Sequence, residues 1–209
     1  MLTKKRAVLA AGLLAAAALS LFSTGSPLAA WTPPFGQSPD EMAAMMAKAK
    51  KFTAPGENHK LLERFLGEWN TEVRMFMGKQ ATPAEKGTAT FRWKIEGRWL
   101  ESEWSGTMMQ QPARGAIWLG YDNFKMSYVS TMITSGDTAM NHAEGDLTQD
   151  QKSLLLYDTL DEYLTGEHDK MVKYAWRFLA ADKMVLEIHD LPIGETDTKV
   201  VEITYTKAK

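Results

Sequence analysis

The sequence predicts a mainly β domain, most simply a single antiparallel barrel of about ten strands preceded by helices. Three observations predict it. From Trp69 to Thr206 apolar residues recur at alternate positions, the period of half-buried strands. Turn-forming residues separate the segments: Gly97, Gly120–Asp122–Asn123, Ser135–Gly136–Asp137, Gly145–Asp146, Thr165–Gly166 and Gly194–Glu195. Helical periodicity is confined to the chain before Gly67, so few helices are available to cover the sheet's apolar face. Closing the sheet on itself hides that face and removes unpaired edges. A two-sheet sandwich satisfies the same pattern and stays open as an alternative.

Three regions are expected. Residues 1–30 read as a secretory signal peptide: Lys4, Lys5 and Arg6, then the apolar run Ala7–Phe22, then small residues. The apolar run is shorter than the roughly 20 residues of a membrane-spanning helix. The cut is expected between Gly25 and Ala30, with Ala30 favoured and uncleaved anchoring as the alternative. The expected location is therefore the periplasm, with no stable transmembrane anchor after cleavage. Residues 31–55 form a proline-rich leader and an amphipathic helix. Ser38 is placed to cap that helix, Pro39 takes its first position, and Met42, Met45, Met46 and Ala49 make its apolar stripe. Residues 56–209 form the barrel domain, opened by a short helix over Glu57–Phe65 that Gly67 ends.

Ten strands are expected: Trp69–Met77, Ala89–Ile95, Leu100–Trp104, Gly115–Tyr121, Lys125–Ile133, Thr138–Asp146, Ser153–Thr159, Met171–Leu179, Met184–Ile188 and Lys199–Thr206. Two stripes are clean: Val172, Tyr174, Trp176 and Phe178, and Val201, Ile203 and Tyr205. The opposite faces carry Arg74, Arg92, Lys94, Glu101, Glu103, Lys173 and Arg177, which argues against a lipid-facing outer-membrane barrel.

Composition excludes several chemistries. The chain has no cysteine, so it has no disulfide, no thiolate nucleophile and no cysteine lipid anchor. Cutting after Ala30 removes three basic and no acidic residues, moving the net charge from −2 to −5. A mildly acidic domain without a basic patch argues against nucleic acid as a partner. No G-x-S-x-G elbow and no phosphate-binding glycine loop are present. The histidines lack the close helical spacing of zinc motifs; His142 and Glu144 share a strand face but supply only two ligands, and His189 would have to converge on them. No metal, no cofactor and no catalytic residue is assigned.

Several stretches resemble the bacterial family known as domain of unknown function 1579: GENHKLLERFLGEWNTEVRMFMG, GTATFRWKIEGRWLESEWSGTMMQQPARG, LGYDNFKMSYVSTMI and VVEITYTK, together spanning roughly residues 56 to 206. The resemblance implies a calycin-like β-barrel with a helical lead-in, and no established activity comes with it. The chain departs from the family at Gln110–Gln111, where a glycine commonly precedes the glutamine, at Met132, often tryptophan, and over Leu160–Lys170. Gly67–Glu68–Trp69 also resembles the Gly-x-Trp element of lipocalins. Its glycine permits a helix-to-strand bend while the indole plugs one end of the barrel.

The functional expectation is a periplasmic binding module for a small apolar or amphipathic ligand. Trp93, Trp104, Met108, Tyr128, Met132, Tyr174 and Trp176 are expected to line the cavity, the aromatic hydroxyls and N–H groups orienting the ligand. Two alternatives stand beside it. One is an envelope structural domain whose methionine-rich helix meets a protein partner. The other is a cofactor-independent enzyme that pairs a histidine with a carboxylate inside the barrel.

Overall fold

In the computed structural model, described over residues 38–162, 166–192, 194, 196 and 198–209, the chain divides into two units, residues 1–54 and 55–209. The expected signal peptide, its cut site and the leader through Gln37 lie outside the described residues, as do Thr165 and Glu195 of two expected turns.

The first unit contains helix α1 (Pro39–Thr53). The Ser38 hydroxyl accepts the Glu41 N–H, and the Glu41 carboxylate accepts the Ser38 N–H in return, at 2.8 Å. This reciprocal cap satisfies two otherwise orphaned donors. Asp40 and Glu41 in the first turn and Lys50 and Lys51 in the last oppose the helix dipole.

The second unit opens with α2 (Glu57–Lys60) and a 3₁₀ turn (Leu61–Arg64). Eleven strands follow: β1 (Gly67–Met77), β2 (Gln80–Ala81), β3 (Glu85–Ile95), β4 (Trp99–Met108), β5 (Gln111–Asp122), β6 (Ser127–Thr134), β7 (Met140–Leu147), β8 (Ser153–Glu162), β9 (Glu167–Ala180), β10 (Lys183–Asp190) and β11 (Lys199–Lys207). All pairings are antiparallel between neighbours, and β1 closes the sheet on β11 from Trp69–Lys207 to Met75–Val201. The result is a ten-stranded barrel with β2 as a short outer strand on β1. Closure decides the barrel over the sandwich, because a sandwich keeps open edges that this ladder pairs.

The short helix and turn plug one end. Leu61, Leu62 and Phe65 are buried there, and the Phe65 ring lies 5.1 Å from Trp176, 5.2 Å from Phe178 and 5.4 Å from Phe91. The Trp69 indole N–H donates to the Phe65 carbonyl at 2.7 Å, which fixes the helix-to-strand corner. Gly67 turns that corner at φ +118°, a conformation other residues resist. His59 is buried: its Nδ1 accepts the Gly56 N–H at 3.0 Å, and its ring meets the edge of Tyr121.

Some expected boundaries shift. β6 starts at Ser127, because Asp122 accepts the Phe124 and Lys125 N–H groups in a turn that extends the loop. Gly145–Asp146 is not a turn but the middle of β7–β8 pairing. Glycine is needed there because a Cβ would lie 1.9 Å from the Leu155 carbonyl oxygen. On the outer wall Arg92 bridges Glu101 and Glu103, and Lys94 also reaches Glu101, so these carboxylates face away from the barrel interior. Ion pairs on a wall that faces water stabilise little, because solvent screens them. Full burial of a large apolar side chain, as at Leu62, Leu100 or Leu154, contributes about 1.5–3 kcal/mol. The core, more than the charged wall, holds the barrel together.

Candidate ligand-binding cavity

The plug fills only half of the barrel. Toward the opposite end, where β4 turns into β5 and β8 approaches β9, lies a cavity of about 650 Å³. That is the size of small-molecule sites, roughly 300–1,000 Å³. Inward positions of consecutive strands build its wall. Val73 and Met75 of β1 stand opposite Ile203 and Val201 of β11, which in turn stand opposite Leu186 and Ile188 of β10. Ile117, Met132, Val172 and Tyr174 continue the wall on β5, β6 and β9. Alternation delivers each of these side chains to the interior, and the lining is predominantly apolar.

Four of the seven expected lining residues are here: Trp104, Met108, Met132 and Tyr174. The other three are not on this cavity. Trp176 packs into the plug cluster and touches only a neighbouring recess of about 20 Å³. Tyr128 is buried at the plugged end, where its hydroxyl donates to the Asn58 carbonyl at 2.9 Å and its ring lies 4.9 Å from Tyr121. Burial pushes its phenol up to about 12. Trp93 is half-buried and packs on the core beyond the cavity lining. Their inward parity was legible; their height along the barrel axis was not. Tyr205, Ile203 and Val201 were read as a stripe but not as lining. The usable signal was the position of Val201 and Ile203 away from the Gly67 end of β1; Tyr205, opposite Thr71, carried no such signal.

Hydrogen bonding sets the wall's polar points. The Trp104 indole N–H donates to the Thr71 hydroxyl at 3.0 Å, which turns the indole along the wall. Among the described residues, the Tyr174 and Tyr205 hydroxyls have no protein hydrogen-bond partner. Burial raises both phenols, and the Asp158 and Asp137 carboxylates add to the rise at Tyr174. At the rim the Lys170 ammonium meets Asp190 at 2.7 Å and Glu167 at 3.4 Å. The Asp190 bond holds that ammonium above its ordinary range. Asp190 Oδ1 is buried without a hydrogen-bond partner, as is Oδ2 of Asp158, an inward residue of β8 whose carboxyl burial raises. Lys170 is not legible as a rim residue because the Leu160–Lys170 segment breaks the apolar alternation, and Asp190 reads only as the residue that ends a strand beside His189.

The Met108–Met109–Gln110–Gln111 hairpin borders the mouth. Met109 and Gln110 both sit at positive φ, 53° and 61°, between the paired residues Met108 and Gln111. That is the two-residue turn that favours Asn-Gly. The Glu85 carboxylate receives the Gln110 N–H at 3.1 Å.

The histidines stay outside this cavity. His142 is exposed beside Thr131, and His168 is exposed beside Asp161. His189 lies on the outer face of β10, with Nδ1 3.0 Å from the Thr198 hydroxyl and Nε2 3.6 Å from Glu187, while its neighbours Ile188 and Asp190 face the cavity. Among the described residues no group of three or more His, Asp or Glu is placed to hold a metal. No described helix is long and apolar enough to cross a membrane.

The chain is similar to solved structures at low identity. Rv2717c from M. tuberculosis is 9% identical with a TM-score of 0.50, the match covering 74% of this chain and 99% of that one. The S-type phycobiliprotein lyase CPES from Guillardia theta is 11% identical with a TM-score of 0.48, covering 73% and 93%. A redesigned beta barrel is 11% identical with a TM-score of 0.36, covering 71% and 96%. No protein of curated function matches the sequence. The closed barrel, the helical plug and the Gly67–Trp69 corner occupy the same residues, 54–207, that match the model of the protein family of unknown function DUF1579, and the chain belongs to that family.

Proposed function

We propose that this protein is a binding module for a small, mainly apolar molecule with a polar end, held in the half-open barrel. The observation that carries the reading is the cavity itself: about 650 Å³, apolar in depth, with Lys170 and Asp190 at its rim. An interior packed only for stability would bring these apolar walls into contact, since each Å² of apolar surface buried contributes about 25 cal/mol. The apolar depth favours a hydrocarbon or aromatic body, and the charged rim favours leaving a polar group near water. Export by the leader would place this binding in the periplasm.

Fluorescence titration with an environment-sensitive naphthalene dye tests the binding. Saturable binding at one site per chain, competed by unlabelled apolar molecules, supports the reading. Absence of saturable binding across a panel of apolar and amphipathic probes refutes it. Fractionation of the native host tests the location: a shortened protein released with the periplasmic contents is expected, and a full-length cytoplasmic one overturns it.

A further inference from the structure

Resting on the reading above, we propose that the ligand carries an uncharged oxygen acceptor, of the ketone or ester class, that enters the barrel and receives hydrogen bonds from Tyr174 and Tyr205. Both residues line the cavity. Their rings are almost fully covered, at 7% and 2% exposure, yet neither hydroxyl has a protein acceptor among the described residues. Nor is either one of the polar atoms sealed inside the protein without a partner, such as Asp158 Oδ2 and Asp190 Oδ1. The two hydroxyls therefore open on the cavity. A phenol needs an acceptor when buried, and a site built with unused donors selects a ligand that supplies one.

A fully buried tyrosine at the plugged end shows the contrast. Tyr128, at the plugged end, spends its hydroxyl on the Asn58 carbonyl. Trp104 likewise spends its N–H on Thr71. The charge of the acceptor follows from what surrounds it. Asp158 and Asp137 act on Tyr174, and Asp190 stands at the rim, so an anionic group at this depth meets carboxylates as well as an apolar wall. A neutral carbonyl or ester oxygen accepts from a phenol without bringing charge.

The test compares three dyes on the whole protein: an acyl-(dimethylamino)naphthalene, whose ketone emission reports hydrogen bonding, the parent dimethylaminonaphthalene without the acyl group, and the corresponding carboxylate. The ketone is expected to bind roughly tenfold more tightly than the parent and than the carboxylate. Its emission is expected to show a hydrogen-bonded carbonyl. Tyr174→Phe/Tyr205→Phe keeps both rings, including the Tyr205 ring that packs on Trp176 and Phe91, and the tenfold advantage is expected to vanish while the parent dye binds as before. Equal binding of ketone and parent, tighter binding of the carboxylate, or an advantage that survives the double substitution overturns this inference and leaves the binding function standing. Failure of all three dyes to bind overturns both. The wild-type comparison needs no variant, so the inference is exposed even if the double substitution does not fold.

Discussion

Trp104 forms part of the cavity wall, and one hydrogen bond sets its orientation. Its N–H donates to Thr71 at 3.0 Å, and Thr71 is only 2% exposed. Trp104→Phe removes that donor and strands a hydroxyl in a site sealed from bulk water. Stranding a buried polar group costs about 1–3 kcal/mol, and the smaller ring forfeits further contact. A loss of about 2 kcal/mol is expected. With a urea slope of about 2 kcal/mol/M the unfolding midpoint falls by about 1 M. The melting temperature falls by about 4–8 °C for a domain of this size. Thr71→Val removes the stranded group instead. It leaves the half-buried indole N–H without that acceptor and costs about 1–3 kcal/mol. In the Thr71→Val background Trp104→Phe therefore costs at least about 1 kcal/mol less than in the wild type. Urea unfolding of the four proteins measures the cycle. Equal cost in both backgrounds, within about 0.3 kcal/mol, refutes the coupling and with it the claim that Thr71 orients the wall.

Three further outcomes are expected. Gly145→Ala puts a Cβ 1.9 Å from the Leu155 oxygen and loses at least about 3 kcal/mol, whereas Gly136→Ala, whose Cβ meets Thr134 at 3.5 Å, stays within about 0.5 kcal/mol; calorimetry of the pair checks this. Gln110→Gly relieves a left-handed residue at φ 61° while keeping the N–H bond to Glu85, and raises stability by about 1 kcal/mol, a gain of about 2–4 °C that a melting curve resolves. Alkali destabilises the fold: Tyr128 ionises near 12 when folded but near 10 when unfolded, so the unfolded chain releases its proton first. The stability lost between pH 10 and 12 is about 1.4 kcal/mol per pH unit for each such phenol, and Tyr174 and Tyr205 act in the same direction. Phenolate absorbance that rises together with loss of circular dichroism is the expected result; early ionisation of all tyrosines in the folded protein would contradict it.

Local chemistry explains which features were legible beforehand. The Ser38 cap, the Gly67 bend and the buried Trp69 follow from residues close in the chain, and the structure places them as expected. Gly145 shows where such reasoning fails. Beside Asp146 it reads as a turn, yet its lack of a side chain serves a strand that passes within contact distance of Leu155. Nothing in the local sequence distinguishes a glycine that bends the chain from one that lets another chain segment approach.

The same division separates the barrel from its cavity. Alternation with period two is a property of the chain, because successive side chains leave a strand on opposite sides; inward residues were therefore readable from the sequence. The height of each residue along the barrel depends on strand tilt and register, which are set by pairings between distant segments such as Thr71 with Tyr205 and Leu154 with Trp176. That height sends Trp93, Tyr128 and Trp176 away from the cavity and brings Val201, Ile203 and Tyr205 to it. Composition and alternation alone required an aromatic, apolar interior. Strand register and tilt fill one half with Phe65 and its neighbours, keep the other half open, and leave two tyrosine hydroxyls there without a protein partner among the described residues.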